Sequence, residues 1–357
     1  MTQLVWFRTD LRTHDNPALW AACQNSDGGV LSVVYITEKQ WQHHGLGPRK
    51  IQLIKNAILR LKESLERLNI PLLIIKADTF TECIHSLQRT MTQLDVQHLY
   101  FNAEYEVNEK RRDNEVKHWC RHQRISISQF HDQCIVKPGT VLTQQGQAFK
   151  VFSPFKRAWI NLADNRIATP LAQPLKRPLT VQKALFKLCS AQANNALLNY
   201  LEDPLWPISE DEAQNRLNEF VAERAEAYQQ LRDLPAANAT SRLSTYLSLG
   251  LLSPLQCLQT AMLHNQGLLI SGNQGFDSWV NELIWRDFYR HLLVAFPKLC
   301  MHKAFKEETE QVQWRNSEAD FQAWCEGRTG YPIVDAAQRQ LLTEGWMHNR
   351  LRMVSAM

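Results

Sequence analysis

Short apolar runs alternate with amphipathic segments over the first 130 residues of the chain. The apolar runs are LVWF (4–7), VLSVVYI (30–36), LLII (72–75), HLYF (98–101) and ISISQF (125–130). Helical patterns separate these runs at 16–24, 48–68, 80–94 and 107–122. In the second of these segments, apolar side chains recur every three or four residues from Ile51 to Leu68, which is typical of a helix that faces a core. Strand alternating with helix predicts a doubly wound α/β domain with a parallel sheet.

The periodicity changes after Cys134. Residues 135–205 contain prolines at 138, 154, 170, 174, 178 and 204 and few long periodic runs, which predicts a connection with short helices. From Ser209 onward the patterns are helical, at 209–231, 244–249, 253–264, 275–296, 317–325, 332–343 and from 346 to the end. We therefore expect an α/β domain at 1–132, an interdomain linker at 133–205 and an all-helical domain at 206–357.

Composition narrows the class of protein. The 357 residues can form two or three domains, each with its own core. The eight cysteines include no CxxC pair, which indicates free thiols in a reducing compartment. The chain starts without a secretory signal and has no apolar run of about 18 residues, so we expect a cytoplasmic protein without a membrane span. The net charge of +4 is compatible with nucleic acid but equally with many enzymes.

Polar residues cluster at the end of the first predicted strand, in VWFRTDLRTHDNPAL (5–19). Arg8, Asp10, Arg12, His14 and Asp15 favour a salt-bridged turn over a catalytic cluster. The following helix is predicted to begin at an Asn-Pro pair. No GxGxxG follows the strand, which argues against a nicotinamide site.

The helical half contains two further polar groups. TSRLS (240–244) follows Tyr228 and precedes a helix, where its hydroxyls and amides fit either an anion site or a simple helix cap. In SWVNELIWRDFYRHLL (278–293), Glu282 lies among tryptophans at helical spacing. Its carboxyl group is predicted either to remain neutral and donate a hydrogen bond, or to pair with Arg286 one turn later.

The last segment, GYPIVDAAQRQLLTEGWMHNRLRMVSAM (330–357), carries an amide, a thioether and a guanidinium on one helix face, at Asn349, Met353 and Arg352. Arg350 and Arg352 lie close to Trp346, a combination that suits an anionic, planar partner or an ordinary basic helix end.

These segments resemble the DNA photolyase and cryptochrome family along essentially the whole chain. The opening run, TSRLS, NELIWR and WMHNRLRM all match its blocks. Photolyases for six-four lesions typically have histidines at the Asn349 and Met353 positions, plant cryptochromes usually have aspartate at the first, and the DASH branch tends to have glutamine at the second. The resemblance therefore implies a bacterial class I enzyme that repairs cyclobutane pyrimidine dimers with reduced FAD and light. A blue-light sensor and a nucleotide-binding module without photochemistry remain alternatives.

The resemblance also implies roles for individual residues. The FAD contacts would be Tyr228, Thr240, Ser241, Arg242, Leu243, Ser244, Trp279, Glu282, Arg286, Asn349 and Arg352. The lesion would meet Glu282, Trp285, Asn349 and Met353, and Trp314 would be the outermost member of an electron-transfer chain. UV-damaged DNA would be held by Arg232, Trp285 and Arg350.

The segment NAEYEVNEKRRD (102–113) resembles a folate-binding segment of the same family. Asn108, Glu109 and His44 would contact a 5,10-methenyltetrahydrofolate antenna. Taken alone, Glu109 could equally be an exposed residue in the first turn of a helix. Close relatives have lysine where this chain has Met301, near the antenna. Relatives also continue well beyond residue 357, so we expect a monomeric photolyase whose helical domain is truncated.

Overall fold

The computed structural model describes residues 2–24, 28–163, 167–192, 199–270 and 272–356. The first half of the chain contains a sheet of five parallel strands. The strands are β1 (Thr2–Phe7), β2 (Gly29–Ile36), β3 (Leu72–Lys76), β4 (Val96–Asn102) and β5 (Ser126–Phe130). Their order in the sheet is β3-β2-β1-β4-β5, and every pairing is parallel. The predicted doubly wound domain is confirmed.

Helices cover both faces of this sheet. They are α1 (Pro17–Gln24), α2 (Glu38–His43), α3 (Pro48–Arg67), α4 (Phe80–Gln93) and α5 (Val107–His122). Successive β1 residues enter opposite cores, with Val5 and Phe7 in one and Leu4 and Trp6 in the other. Burial on both faces explains why the strands appear as unbroken apolar runs. The chain order reverses between β1 and β4, and at such a switch point the strand ends leave a crevice that suits a ligand.

The second half is helical, as predicted. Its helices are α8 (Glu210–Glu223), α9 (Tyr228–Leu231), α10 (Ser244–Leu249), α11 (Pro254–His264), α12 (Gln274–Ala295), α13 (Glu318–Cys325), α14 (Pro332–Glu344) and α15 (Asn349–Ser355), with 3-10 turns at Pro297–Met301 and Glu307–Gln311. The helix predicted at 209–231 is in fact two helices. The backbone of Ala225 and Glu226 between them lies against Gly275, at the start of α12, where a larger side chain would overlap it.

The residues between the two halves form α6 (Phe152–Ala163) and α7 (Leu179–Gln192). α6 packs against α12, and α7 packs against β2 and β3. Each helix therefore extends one of the two halves, while the domain boundaries at 132 and 205 remain predictions.

The polar turn after β1 joins the two halves. Arg12 is 2% exposed and donates to Asp132 at 2.8 Å and to the carbonyl of Gly250 at 3.2 Å. Ser253, which caps α11, donates to the Asp15 carboxylate. The predicted hydrogen-bonded and salt-bridged turn is confirmed, and its partners include the helical half.

The described residues include no helix that is long and apolar enough to cross a membrane. All eight cysteines are free and at least half-buried, as predicted. Among the described residues, no three histidine, cysteine or acidic side chains are arranged to hold a metal ion.

Candidate active site and interdomain cleft

Glu282 lies on α12 and faces α9. Arg232, which ends α9, donates to the Glu282 carboxylate and to the hydroxyl of Ser278 at 3.2 Å. The predicted pair between Glu282 and Arg286 does not form, because Arg286 donates to the carbonyl of Gln133 instead. In this arrangement the Glu282 carboxylate accepts a hydrogen bond from Arg232, and its expected role as a donor to the lesion stays a prediction.

A second carboxylate, that of Asp233, connects α9 to α15. Arg350 forms a two-point ion pair with Asp233, at 2.6 Å from Nε and 3.1 Å from Nη2. The remaining nitrogen of Arg350 lies 3.6 Å from the sulfur of Met353. Arg232 Nε is 3.5 Å from Asp233. The structure thus brings together the expected lesion and DNA residues Glu282, Arg232, Arg350 and Met353, and adds Asp233, which the sequence did not single out.

Tyr228 and the start of α15 border this network. Tyr228 is 8% exposed, and the Arg232 guanidinium lies 5.5 Å from the centre of its ring. His348 caps α15 through Nδ1, which accepts from the amide of Arg350 at 3.2 Å. Burial lowers the pKa of His348, which is 2% exposed, so the ring is neutral at neutral pH. Its Nε2 has no hydrogen-bond partner among the described residues.

The loop before α10 meets the residues that precede α15. Arg242 lies 4.6 Å from the ring centre of Trp346 and 3.1 Å from the carboxylate of Glu344. Its backbone is in the left-handed region, with φ 52°. For a residue with a Cβ this conformation costs roughly 1–2 kcal/mol, and such strain concentrates at functional sites.

The simple-cap alternative for TSRLS does not form. α10 begins at Ser244 after Leu243, and no side chain caps it. Thr240 and Ser241 are half-buried, Leu243 is buried and Ser244 is exposed.

The two tryptophans of α12 have different surroundings. Trp279 is 3% exposed and packs against Phe220, with 5.0 Å between ring centres. Trp285 is half-buried and stacks on Phe152 at 3.6 Å, nearly parallel to it. The face of Trp285 that Phe152 covers is therefore closed to a base, and only the remainder of the indole can meet one.

The other expected residues lie at the surface. Asn349, the first residue of α15, and Arg352 are exposed, and Met353 is 49% exposed one turn after Asn349. Trp314 is 79% exposed in the segment between the second 3-10 turn and α13. An outermost position in an electron-transfer chain requires such exposure, although an ordinary surface tryptophan shares it.

The three expected antenna residues come together beside α5. Asn108 Nδ2 lies 3.2 Å from His44 Nε2, and Glu109 lies 3.7 Å from His44 Nδ1. The ring of Phe80 meets that of His44 edge to face at 5.8 Å. His44 and Glu109 line a cavity of about 250 Å³ at the switch point between β1 and β4.

The cavity is bounded by both halves of the chain. From the helical half come Leu247, Ser248, Leu249, Arg286 and Arg290. Arg290 forms an ion pair with Glu106, the residue that precedes α5. Arg286, expected at the flavin, thus lies in this cleft. Sequence reasoning missed Arg290 and Glu106, although Arg290 stands one helical turn after Arg286.

Burial and neighbouring charges shift the pKa values of Glu109 and His44 in the cleft. Burial raises the pKa of Glu109 to about 7, and the carboxylates of Glu104 and Glu106 raise it further while Arg112 opposes them. Burial also lowers the pKa of His44. Near neutral pH the cleft can therefore present Glu109 either as a donor or as an acceptor.

The chain resembles known photolyases in sequence. The model of the DNA photolyase family matches residues 3–176, and the model of the FAD binding domain of DNA photolyase matches residues 279–357. The deoxyribodipyrimidine photo-lyases of Escherichia coli and Vibrio cholerae are 41% and 39% identical to the chain. Each alignment covers 99% of this chain and 74% of the relative.

Solved structures share the fold. A bacterial class III photolyase from Agrobacterium tumefaciens matches with a TM-score of 0.79 at 28% identity, over 99% of this chain and 71% of that chain. A Synechocystis cryptochrome matches with a TM-score of 0.82 at 22% identity, over 99% and 74% of the two chains. The latter supports the architecture alone.

Proposed function

The chain belongs to the DNA photolyase family, and from that premise we propose that it uses light and reduced FAD to repair cyclobutane pyrimidine dimers in DNA. The observation that carries the proposal is the network at the junction of α9, α12 and α15. There Glu282, two arginines and Met353 meet on one partly exposed surface. A surface of this kind can hold phosphates beside a base-sized apolar contact.

The residues around this network fit FAD. The left-handed Arg242 holds the polar loop 240–244 against Trp346, and the buried ring of His348 lies at the start of α15. Tyr228, Thr240, Ser241, Leu243, Ser244, Trp279, Asn349 and Arg352 would complete the site by resemblance to the family. When bound, reduced FAD would supply the light-driven one-electron chemistry that splits the dimer.

The side chains position the lesion. A flipped dimer would meet Glu282 and the open part of Trp285, with Met353 as an apolar contact. Flipping costs a few kcal/mol and costs least for damaged bases, so lesions are partly selected by their own weak pairing. Asn349 and Met353 stand where photolyases for six-four lesions have histidines. The two histidines that would transfer protons to a six-four lesion are thus replaced. This favours cyclobutane dimers as the substrate.

For the interdomain cleft we propose 5,10-methenyltetrahydrofolate as antenna. His44, Asn108 and Glu109 offer donors and acceptors at hydrogen-bonding separation from one another, next to an aromatic ring. Met301, 47% exposed, removes a cation relative to close relatives and should weaken the hold on the negative folate tail. After reconstitution with the folate and removal of the unbound fraction, the protein should retain a near-ultraviolet band that Glu109→Ala lacks, and a spectrum without this band would refute the assignment.

Repair is tested with FAD-loaded, reduced protein and an oligonucleotide that carries one thymine dimer. Blue light should restore the thymines and darkness should not. Glu282→Ala should lower the yield of repair per absorbed photon while FAD remains bound, and Glu115→Gln, an exposed charge on α5, should change neither. Binding of damaged DNA without restored thymines would refute the repair function. We further propose that the protein acts as a cytoplasmic monomer, which sedimentation of the loaded protein would check.

A further inference from the structure

The Asp233 carboxylate pairs with the Arg350 guanidinium group, which a DNA phosphate would also bind. Its two carboxylate oxygens take Nε and Nη2 of Arg350, and Arg350 Nη1 faces the Met353 sulfur. Carboxylate and phosphate present the same pair of oxygens to a guanidinium fork, so they compete for it. Arg350 therefore cannot offer its Nε–Nη2 edge to a phosphate until Asp233 leaves it.

We propose that Asp233 is an internal counter-anion that holds Arg350 in place without DNA and exchanges it for a DNA phosphate on binding, thereby setting the strength of DNA binding. The inference rests on the proposed function, since it takes DNA as the partner. It assigns Asp233 a positioning and competing role and no contact with the lesion.

The exposure of the two ion pairs shows which one exchanges. The side chains of Asp233 and Arg350 are 53% and 37% exposed, so water screens their attraction and the pair opens readily. Arg232 and Glu282 are 21% and 33% exposed, and Arg232 is also held by Ser278. Arg232 is thus kept at Glu282 while Arg350 is free to change partners. The hydrogen bond from Arg350 lowers the pKa of Asp233, which keeps the competitor ionised at neutral pH.

Counterion release gives the exchange a measurable signature. When an arginine neutralises a phosphate, about 0.9 of a cation leaves the DNA, which steepens the fall of affinity with salt. If Arg350 leaves Asp233 at the same time, the freed carboxylate lies beside the DNA and its negative charge offsets part of the arginine's charge, so fewer cations leave the DNA. Removing the carboxylate should therefore both strengthen binding and steepen its salt dependence.

The test compares DNA affinity in the dark, by fluorescence anisotropy of a labelled duplex with and without one thymine dimer, across a range of salt concentrations. Asp233→Asn should lower Kd about fivefold at low salt for both duplexes and steepen the slope of log Kd against log salt by up to about 0.9. Glu115→Gln removes the same charge from the other half of the chain and should leave affinity and slope unchanged.

A second variant separates competition from a structural role. Arg350→Gln should weaken binding, and adding Asp233→Asn to it should have a smaller effect than Asp233→Asn has alone, because the carboxylate is then left only with Arg232, 3.5 Å away. If Asp233 only braced α9 against α15, Asp233→Asn would weaken binding with an unchanged slope, and that result would overturn the inference. Light-driven repair is measured on the same proteins. If Asp233→Asn changes DNA affinity as expected but no protein repairs the dimer, the repair function is refuted and the role of Asp233 as a counter-anion is still supported.

Discussion

Glu109 should make the stability of the α/β half depend on pH in a predictable direction. Its side chain is 15% exposed at the edge of the cleft. Burial raises its pKa to about 7, with further contributions from Glu104 and Glu106. Replacing Glu109 with glutamine keeps the size of the side chain and removes the titration. The change therefore isolates the free energy that accompanies protonation of this one group.

The size of the effect follows from the difference between the folded and unfolded pKa. The pKa rises from 4.5 to about 7, a difference of roughly 2.5, which corresponds to about 3.5 kcal/mol at ~1.4 kcal/mol per unit. Because the folded state has the higher pKa, it binds the proton more tightly. The stabilising contribution is complete below about pH 4.5 and is lost as the pH rises through about 7. The glutamine variant should gain relative stability over the same interval.

Urea unfolding at a series of pH values measures this difference. Between pH 5 and pH 8, the free energy of unfolding of Glu109→Gln minus that of the unsubstituted protein should rise by about 2.5 kcal/mol. Glu115→Gln, on the exposed side of the same helix, should follow the unsubstituted protein at every pH. A difference that stays constant with pH, or that falls as the pH rises, would refute the reasoning.

Two further substitutions test how the halves are joined. Gly250→Ala should lower the free energy of unfolding by several kcal/mol, because the new Cβ would overlap the backbone of Thr9 and Asp10. Gly146→Ala, also at positive φ but with no neighbouring atom within 4 Å, should cost only about 1 kcal/mol, and equal losses in thermal unfolding would contradict the overlap. Asp287→Ala should cost about 3–6 kcal/mol in urea unfolding, because the N–H groups of Ile135, Val136 and Trp159 lose their buried acceptor. Asp287→Asn keeps one acceptor oxygen and should cost clearly less, and similar costs would contradict this account.

The elements that the sequence predicted well are those set by local pattern. The strands bury both faces and therefore appear as apolar runs, and the stripe of α3 marks its core side directly. α12, predicted at 275–296, is found at Gln274–Ala295. The break between α8 and α9 was missed, because the packing of Gly275 onto that backbone comes from a segment some fifty residues away in the chain.

Partners of charged side chains were harder to predict, because several candidates lie within reach of each long side chain. Helical spacing made Arg286 a plausible partner for Glu282, but the carbonyl of Gln133 takes Arg286 and leaves Glu282 to Arg232. The sequence position of Asp287 could have predicted a buried polar contact, but this was not recognised. It is an acidic residue within a mainly apolar face, and it is fully buried where α12 packs against the connecting segment. The pattern indicates that such a residue has partners and does not identify them.

One row of side chains on α12 connects the two candidate sites. Glu282, Arg286 and Arg290 are four residues apart on one helix face, so the row spans about 12 Å. Glu282 contacts α9 at the proposed lesion site, and Arg290 pairs with Glu106 at the start of α5, next to the proposed antenna residues. Between them Arg286 and the buried Asp287 fix the helix to the connecting segment on either side of Cys134. A single helix anchored at each of these points would keep the proposed flavin and antenna sites at a fixed separation and orientation, on which energy transfer between two chromophores depends.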